Sequence, residues 1–143
     1  MENNRSFYNE ILTEHNLHPE NKYKMDNPHK VLQGVNPSCG DDITLELKME
    51  DGVITDAAFT GYGCAISQAS ADIMTGLIKG KTREEALRLS EIFLRMIKGE
   101  VSDEELEELE EASALKDISH MPTRVKCAVL SWHTLEESLK EED

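Results

Sequence analysis

Aromatic residues make up only 5% of this 143-residue chain. No run of aliphatic or aromatic residues exceeds three, as in Ala57-Ala58-Phe59, Ile92-Phe93-Leu94 and Ala128-Val129-Leu130. A membrane-spanning helix needs about 20 apolar residues in succession, so no segment is expected to cross a bilayer. The opening MENNRSFYNE has no hydrophobic stretch of the kind that directs secretion. Bases are outnumbered, 15 against 29 acids, and the net charge of −14 disfavours tight binding to nucleic acid phosphates. Cysteine is sparse and odd in number: Cys39, Cys64 and Cys127, with no Cys-x-x-Cys pair. That count argues against a disulfide framework, a redox dithiol and a zinc ribbon. No repeat, low-complexity tract or linker interrupts the chain. What remains is 16.1 kDa with 38% apolar residues, enough for one modest core. The expectation is a single acidic cytoplasmic domain over residues 1–143.

The acidity is concentrated. Glu100 to Glu111 holds eight acids and no base, Glu136 to Asp143 holds five acids and one lysine, and the remainder is nearly neutral at −2. These segments read as two acidic attachments on a neutral body, either solvated helical faces or a docking surface for a basic partner.

Hydropathy patterning places strands first and helices afterwards. It predicts an α+β fold with a small antiparallel sheet, a hairpin plus one further strand, packed against several helices. A helix over residues 6–17 carries Phe7, Ile11 and Leu12 and ends before His18-Pro19; a polar loop follows from Asn21 to Lys30. Ile43, Leu45, Leu47 and Met49 alternate with polar residues, and after Asp51-Gly52 the alternation resumes with Val53, Thr55, Ala57 and Phe59. A three-residue loop, Glu50-Asp51-Gly52, keeps one apolar face by setting Met49 against Val53, Leu47 against Thr55, Leu45 against Ala57 and Ile43 against Phe59. A two-residue loop would set Leu47 against Asp56. Ile66, Ala69, Ile73 and Leu77 then mark a helix ending at Gly80. The capping box Thr82 to Glu85 opens the next, with Ala86, Leu89, Phe93, Met96 and Ile97 inward and Gly99 at its close. Ser102 to Glu105 opens a short acidic helix with Leu106 and Leu109 inward. Pro122 starts the last, whose stripe is Val125, Val129, Trp132, Leu135 and Leu139.

Extending the hairpin register outward brings Asp41 beside Gly61, and Cys39 beside Gly63 and Cys64. Two cysteines and one aspartate thus share one end of the hairpin. Cys39 lies in the turn-rich string Asn36-Pro37-Ser38-Cys39-Gly40-Asp41-Asp42. Cys64 lies at an expected helix N-terminus, which favours the thiolate, and Cys127 lies early in the last helix beside its apolar stripe. Three thiolates and a carboxylate suit a tetrahedral zinc ion or one end of an iron–sulfur cluster; the alternative is three unrelated core cysteines. Of His15, His18, His29, His120 and His133, only His120 falls near these residues. Gly61-Tyr62-Gly63 lacks the third glycine of a dinucleotide fingerprint, and Met49, Met74 and Met96 sit at core positions.

The strings NPSCGDD, GYGCAISQASAD and MPTRVKCAVLSWHTL, in that order, resemble the U-type iron–sulfur cluster assembly family (IscU/SufU) over nearly the whole chain. The SufU-like branch is the nearer of the two. Lys126 stands where IscU proteins carry a histidine before the last cysteine, and the insertion of about twenty residues between Gly99 and His120 resembles that of SufU. The resemblance implies that Cys39, Asp41, Cys64 and Cys127 are metal ligands, and that Cys39, Cys64 and Cys127 can hold a transient iron–sulfur cluster. It further implies a zinc-dependent, sulfurtransferase-like persulfide acceptor serving a pyridoxal-phosphate cysteine desulfurase of the SufS type, among other iron–sulfur assembly proteins. Cys39 would be the acceptor, and Asp41 the ligand that opens the site. Arg124, three residues before Cys127, is placed to pair with Asp41 as the carboxylate leaves, or else is a surface arginine. A cluster-assembling scaffold and a binding module with a structural zinc are the alternatives.

Overall fold

Asp51 and Gly52 take left-handed backbone angles, φ 52° and 79°, and close a two-residue hairpin loop whose twist matches that of antiparallel strands. This loop sits at one end of the sheet in the computed structural model, which describes residues 2–140, with side chains from residue 10 onward. The elements are α1 (Glu2–Leu17), β1 (Lys30–Asn36), β2 (Asp41–Glu50), β3 (Val53–Tyr62), α2 (Ala65–Ile78), α3 (Arg83–Ile97), α4 (Asp103–Glu108), a run of 3-10 helix (Glu110–His120) and α5 (Pro122–Lys140). The strands form an antiparallel sheet in the order β1-β2-β3, and the fold is α+β. The further strand is β1, which begins where the polar loop was expected to end. Phe7 and the last three residues of the acidic tail lie outside the described side chains. No helix among the described residues is long and apolar enough to cross a membrane.

The hairpin register differs from the expected one. Glu50 pairs with Val53 and Met49 with Ile54 next to the two-residue loop; beyond a bulge, Lys48 pairs with Asp56, Leu47 with Ala57, Leu45 with Phe59 and Ile43 with Gly61. Asp51 tolerates positive φ, so the tight loop forms, and the exposed Thr55 is the extra residue that restores the apolar face. The bulge also separates Glu46 from Asp56, two like charges that the three-residue loop would have set opposite each other. Lys48 now faces Asp56, whose carboxylate accepts from the Tyr23 hydroxyl at 2.8 Å. Glu46 faces Ala58 and is buried, accepting the Met25 N–H at 2.9 Å.

α2 runs through the middle of the molecule, with Ser67 to Thr75 buried without a break. Ser70 of this helix makes its hydrogen bonds across to α5. Its hydroxyl donates to the Ala128 carbonyl at 2.6 Å and accepts from Trp132 Nε1 at 3.0 Å. The Trp132 ring stacks on Phe93 of α3, centroids 4.1 Å apart and planes 7° off parallel. These contacts fix α5 against α2 one residue beyond Cys127.

The acidic insertion is not an attachment. Leu109, Ala112, Leu115 and Ile118 are fully buried, so its inner side completes the core. Both capping boxes form, at Thr82/Glu85 and Ser102/Glu105. Two of its acids are taken by α3: Arg88 pairs with Glu108 at 3.0 Å, and Arg95 pairs with Glu105. His15 of α1 sits between Asp72 of α2, 2.6 Å from Nδ1, and Glu111 of the 3-10 run, 2.9 Å from Nε2. Burial opposes a charge on this ring, but the two carboxylates outweigh it and raise the His15 pKa above its ordinary value.

Two outcomes are expected. Ser70→Ala leaves the buried Trp132 Nε1–H unpaired and should cost about 1–3 kcal/mol in urea unfolding; a smaller loss would mean that α5 is held otherwise. The His15 contribution is complete below the ordinary histidine value and is lost as pH rises through the elevated folded value. Thermal unfolding from about pH 6 to 9 should therefore show a fall in stability that His15→Gln abolishes.

Candidate metal centre

One end of the sheet gathers the chemistry, where β1 turns into β2 and β3 runs into α2. Asn36 pairs with Asp41 across the first of these turns, leaving Pro37-Ser38-Cys39-Gly40 as the loop. The Cys39 N–H donates to the Asn36 carbonyl at 3.2 Å, and the Cys39 thiol is exposed. Asp42 pairs with Tyr62, so Asp41 arrives beside Gly63 and Cys64, two residues further along β3 than the expected register placed it. Cys64 is the N-cap of α2; its sulfur accepts the Ser67 N–H at 3.4 Å. Cys127, in the early turns of α5, is fully buried.

Asp41 is buried and held from three sides. Its Oδ1 accepts the Cys64 N–H at 2.9 Å and the Ser67 hydroxyl at 3.1 Å, and its Oδ2 accepts Asn36 Nδ2 at 3.2 Å. Burial pushes the Asp41 carboxyl up. Hydrogen bonds from the Cys64 amide, the Cys127 thiol, Ser67 and Asn36 together overcome that and hold it below the usual carboxylate value. The Cys127 thiol is pushed well up, by burial first and then by its contacts with Cys39, Cys64 and Asp41.

Ligand atoms of Cys39, Asp41 and Cys127 all lie within 4.8 Å of one another, the one such trio among the described residues. Zinc bonds of 2.0–2.3 Å set tetrahedral ligand atoms roughly 3.3–3.8 Å apart, so a small closure suffices. Cys64 reaches the Cys127 thiol while capping α2 and falls outside the trio. Crowded acidic groups that resist ionising together are what a divalent cation stabilises, and the donor set of three sulfurs and one oxygen fits zinc. His120 and Arg124 are exposed, and it is Asn36, Ser67 and the Cys64 amide that hold Asp41.

Two residues of the site, Asn36 and Ser67, were not singled out from the sequence. Asn36 and Ser67 hold Asp41, and Gly63 makes room for it. A Cβ on Gly63 would lie 2.5 Å from both Asp41 Oδ1 and Ser67 Oγ, so only glycine lets the carboxylate reach the helix N-terminus. Ser67 was legible as the third helical position after an N-cap at Cys64, where a side chain faces back over the helix end.

Three thiols and a buried carboxylate thus meet at one end of a three-stranded sheet, beside a helix N-terminus, an arrangement able to hold a metal ion. The pattern of the NifU-like N-terminal domain matches residues 7–141, and this chain belongs to that family. It is 41% identical over 138 residues to the zinc-dependent sulfurtransferase SufU of Bacillus subtilis, covering 96% of this chain and 92% of that one. It is 43% identical over 136 residues to the iron–sulfur cluster assembly scaffold protein IscU of Thermotoga maritima, covering 95% and 94%. The crystal structure of a candidate iron–sulfur cluster assembly scaffold protein for the SUF system, from Fervidobacterium islandicum AW-1, superposes with a TM-score of 0.87 at 40% identity, over 92% of this chain and 95% of that one.

Gly63→Ala should separate Asp41 from α2, costing about 1–3 kcal/mol of stability. Zinc binding, followed by titration with a chromophoric chelator, should weaken alongside. Wild-type stability and affinity would mean that Asp41 can find its place without the gap.

Proposed function

We propose that this protein accepts sulfur from a cysteine desulfurase of the SufS type during iron–sulfur cluster assembly, at a zinc site formed by Cys39, Asp41, Cys64 and Cys127. The observation that carries the reading is the graded exposure of the site. Cys39 stands exposed on a turn, within 4.8 Å of the buried Asp41 and Cys127 ligand atoms. One sulfur therefore faces a partner while the others stay anchored. Zinc, when bound, supplies the positive charge that keeps the clustered thiols ionised.

The chemistry that Cys39 can perform is thiol–persulfide exchange. Its thiolate attacks the outer sulfur of a persulfide on the partner's cysteine. A new S–S bond forms on Cys39, the partner's S–S bond breaks, and the partner's cysteine leaves as a thiolate that takes up a proton. No net oxidation occurs. The loop Pro37-Ser38-Cys39-Gly40 presents the nucleophile, and Asp41 is anchored through Asn36, Ser67 and the Cys64 amide. Arg124, exposed three residues before Cys127, is the cation that would meet the carboxylate if it swings out.

A second reading has its own support. The Thermotoga maritima relative, named as a scaffold, is as similar to this chain as the sulfurtransferase is. On that reading Cys39, Cys64 and Cys127 would hold a transient cluster.

The test is to add the zinc-loaded protein to a SufS-type desulfurase with cysteine, and to follow alanine release and the mass of Cys39-containing peptides. Turnover should rise and Cys39 should gain one sulfur. Cys39→Ala should accept none, and Asp41→Ala should still carry zinc when loaded, at lower affinity, but accept sulfur well below the wild-type rate. No stimulation and no persulfide, with a stable cluster on reconstitution, would favour the scaffold; neither activity would leave a structural zinc.

A further inference from the structure

Asn36 lies against the centre without being one of its candidate ligands. It is the last residue of β1, only 6% exposed, and Pro37 after it favours the extended backbone that it adopts. Its carbonyl accepts the Cys39 N–H at 3.2 Å and so closes the turn that carries the exposed thiol. Its side-chain nitrogen lies 3.2 Å from Asp41 Oδ2 and 3.9 Å from Cys127 Sγ. Three of the four candidate ligands are thus tied to one asparagine.

The geometry distinguishes the two oxygens of Asp41. Oδ1 already accepts two hydrogen bonds, from the Cys64 amide and from Ser67. Oδ2 accepts the Asn36 amide, and the carboxylate also accepts the Cys127 thiol, whose proton a metal bound between the two would replace. The amide of Asn36 has two hydrogens, so it can serve Oδ2 and the Cys127 sulfur at once. An aspartate here would set a second carboxylate against Asp41, and an aliphatic residue would leave Oδ2 unoriented.

We propose that Asn36 is a positioning residue of the metal centre, whose side-chain amide orients Asp41 Oδ2 and donates to the Cys127 sulfur, setting how tightly these two donors hold a metal. The inference rests on the metal-centre reading above, and its test involves no desulfurase. Groups that orient metal ligands from outside the coordination shell are worth about 10–100-fold in affinity when removed. A hydrogen bond to a thiolate also lowers its electron density, so removing one makes the sulfur a stronger electron donor.

The experiment compares full-length wild type, Asn36→Ala and Asn36→Asp. The Asn36 carbonyl keeps its bond to Cys39 in every variant, and Asn36→Asp conserves the volume should Asn36→Ala not fold. Zinc affinity, measured by competition with a chromophoric chelator, should fall by about 10–100-fold in Asn36→Ala and should also depart from wild type in Asn36→Asp, which cannot donate to Oδ2 or the sulfur. In the cobalt-substituted proteins the thiolate-to-cobalt absorption band should move to longer wavelength. A residue that merely supported the fold would lower the thermal midpoint without moving that band. Wild-type zinc affinity and an unmoved band in either folded variant overturns the inference. Loss of sulfur acceptance by the wild type would leave it standing, because neither readout measures sulfur transfer.

Discussion

A carboxylate with no exposed surface is the constraint on which this fold turns. Removing an ionised carboxyl group from water costs several kcal/mol even after the surroundings relax. Asp41 is compensated by hydrogen bonds to a charged acceptor, each worth about 1.5–3 kcal/mol, and by the positive end of α2. The donors come from β1, from the residue that caps α2 and from the first turn of that helix. Satisfying one buried charge therefore fixes the end of the sheet against the central helix, and the gap left by Gly63 is where the two meet. Cys39 and Cys64 are positioned as a by-product. Cys127 is brought in separately, by the Ser70 and Trp132 contacts that hold α5 on α2.

Burial divides the labour among the sulfurs. Cys127 is sealed and its thiol is pushed up in pKa by burial and by its acidic neighbours, so it is inert without a cation and suited to anchoring one. Cys64 is half-buried and committed to the end of α2. Cys39 alone is exposed, on a loop of four residues between paired strands. A site of this kind is closed on three sides and open at one sulfur, which suits exchange with a partner better than permanent structural closure. The relatives divide between the name of a sulfurtransferase and the name of a scaffold, and both occupations would use the same open face.

Much of this was legible in the sequence because local rules and tertiary packing agree. The capping boxes at Thr82 and Ser102, the apolar stripes of α2, α3 and α5, and the alternation through β2 each specify their own element. The strings around the three cysteines also marked the family. The hairpin register was not legible: Asp51 can take the left-handed conformation that the two-residue loop needs, and the bulge at Thr55 carries no signature of its own. The insertion misled through its surface charge. Its buried side is only Leu109, Ala112, Leu115 and Ile118, spread along a 3-10 run whose period differs from that of an α-helix. Asn36 stayed hidden for another reason, since an asparagine before proline reads first as a turn residue.

The central claim is that four side chains from three separated stretches of the chain form one metal shell. X-ray absorption at the zinc edge of the loaded wild-type protein tests it most directly. Four-coordinate zinc is expected, with three sulfurs at about 2.3 Å and one oxygen at about 2.0 Å. A shell with two sulfurs or fewer, or one made of oxygen and nitrogen alone, would contradict it.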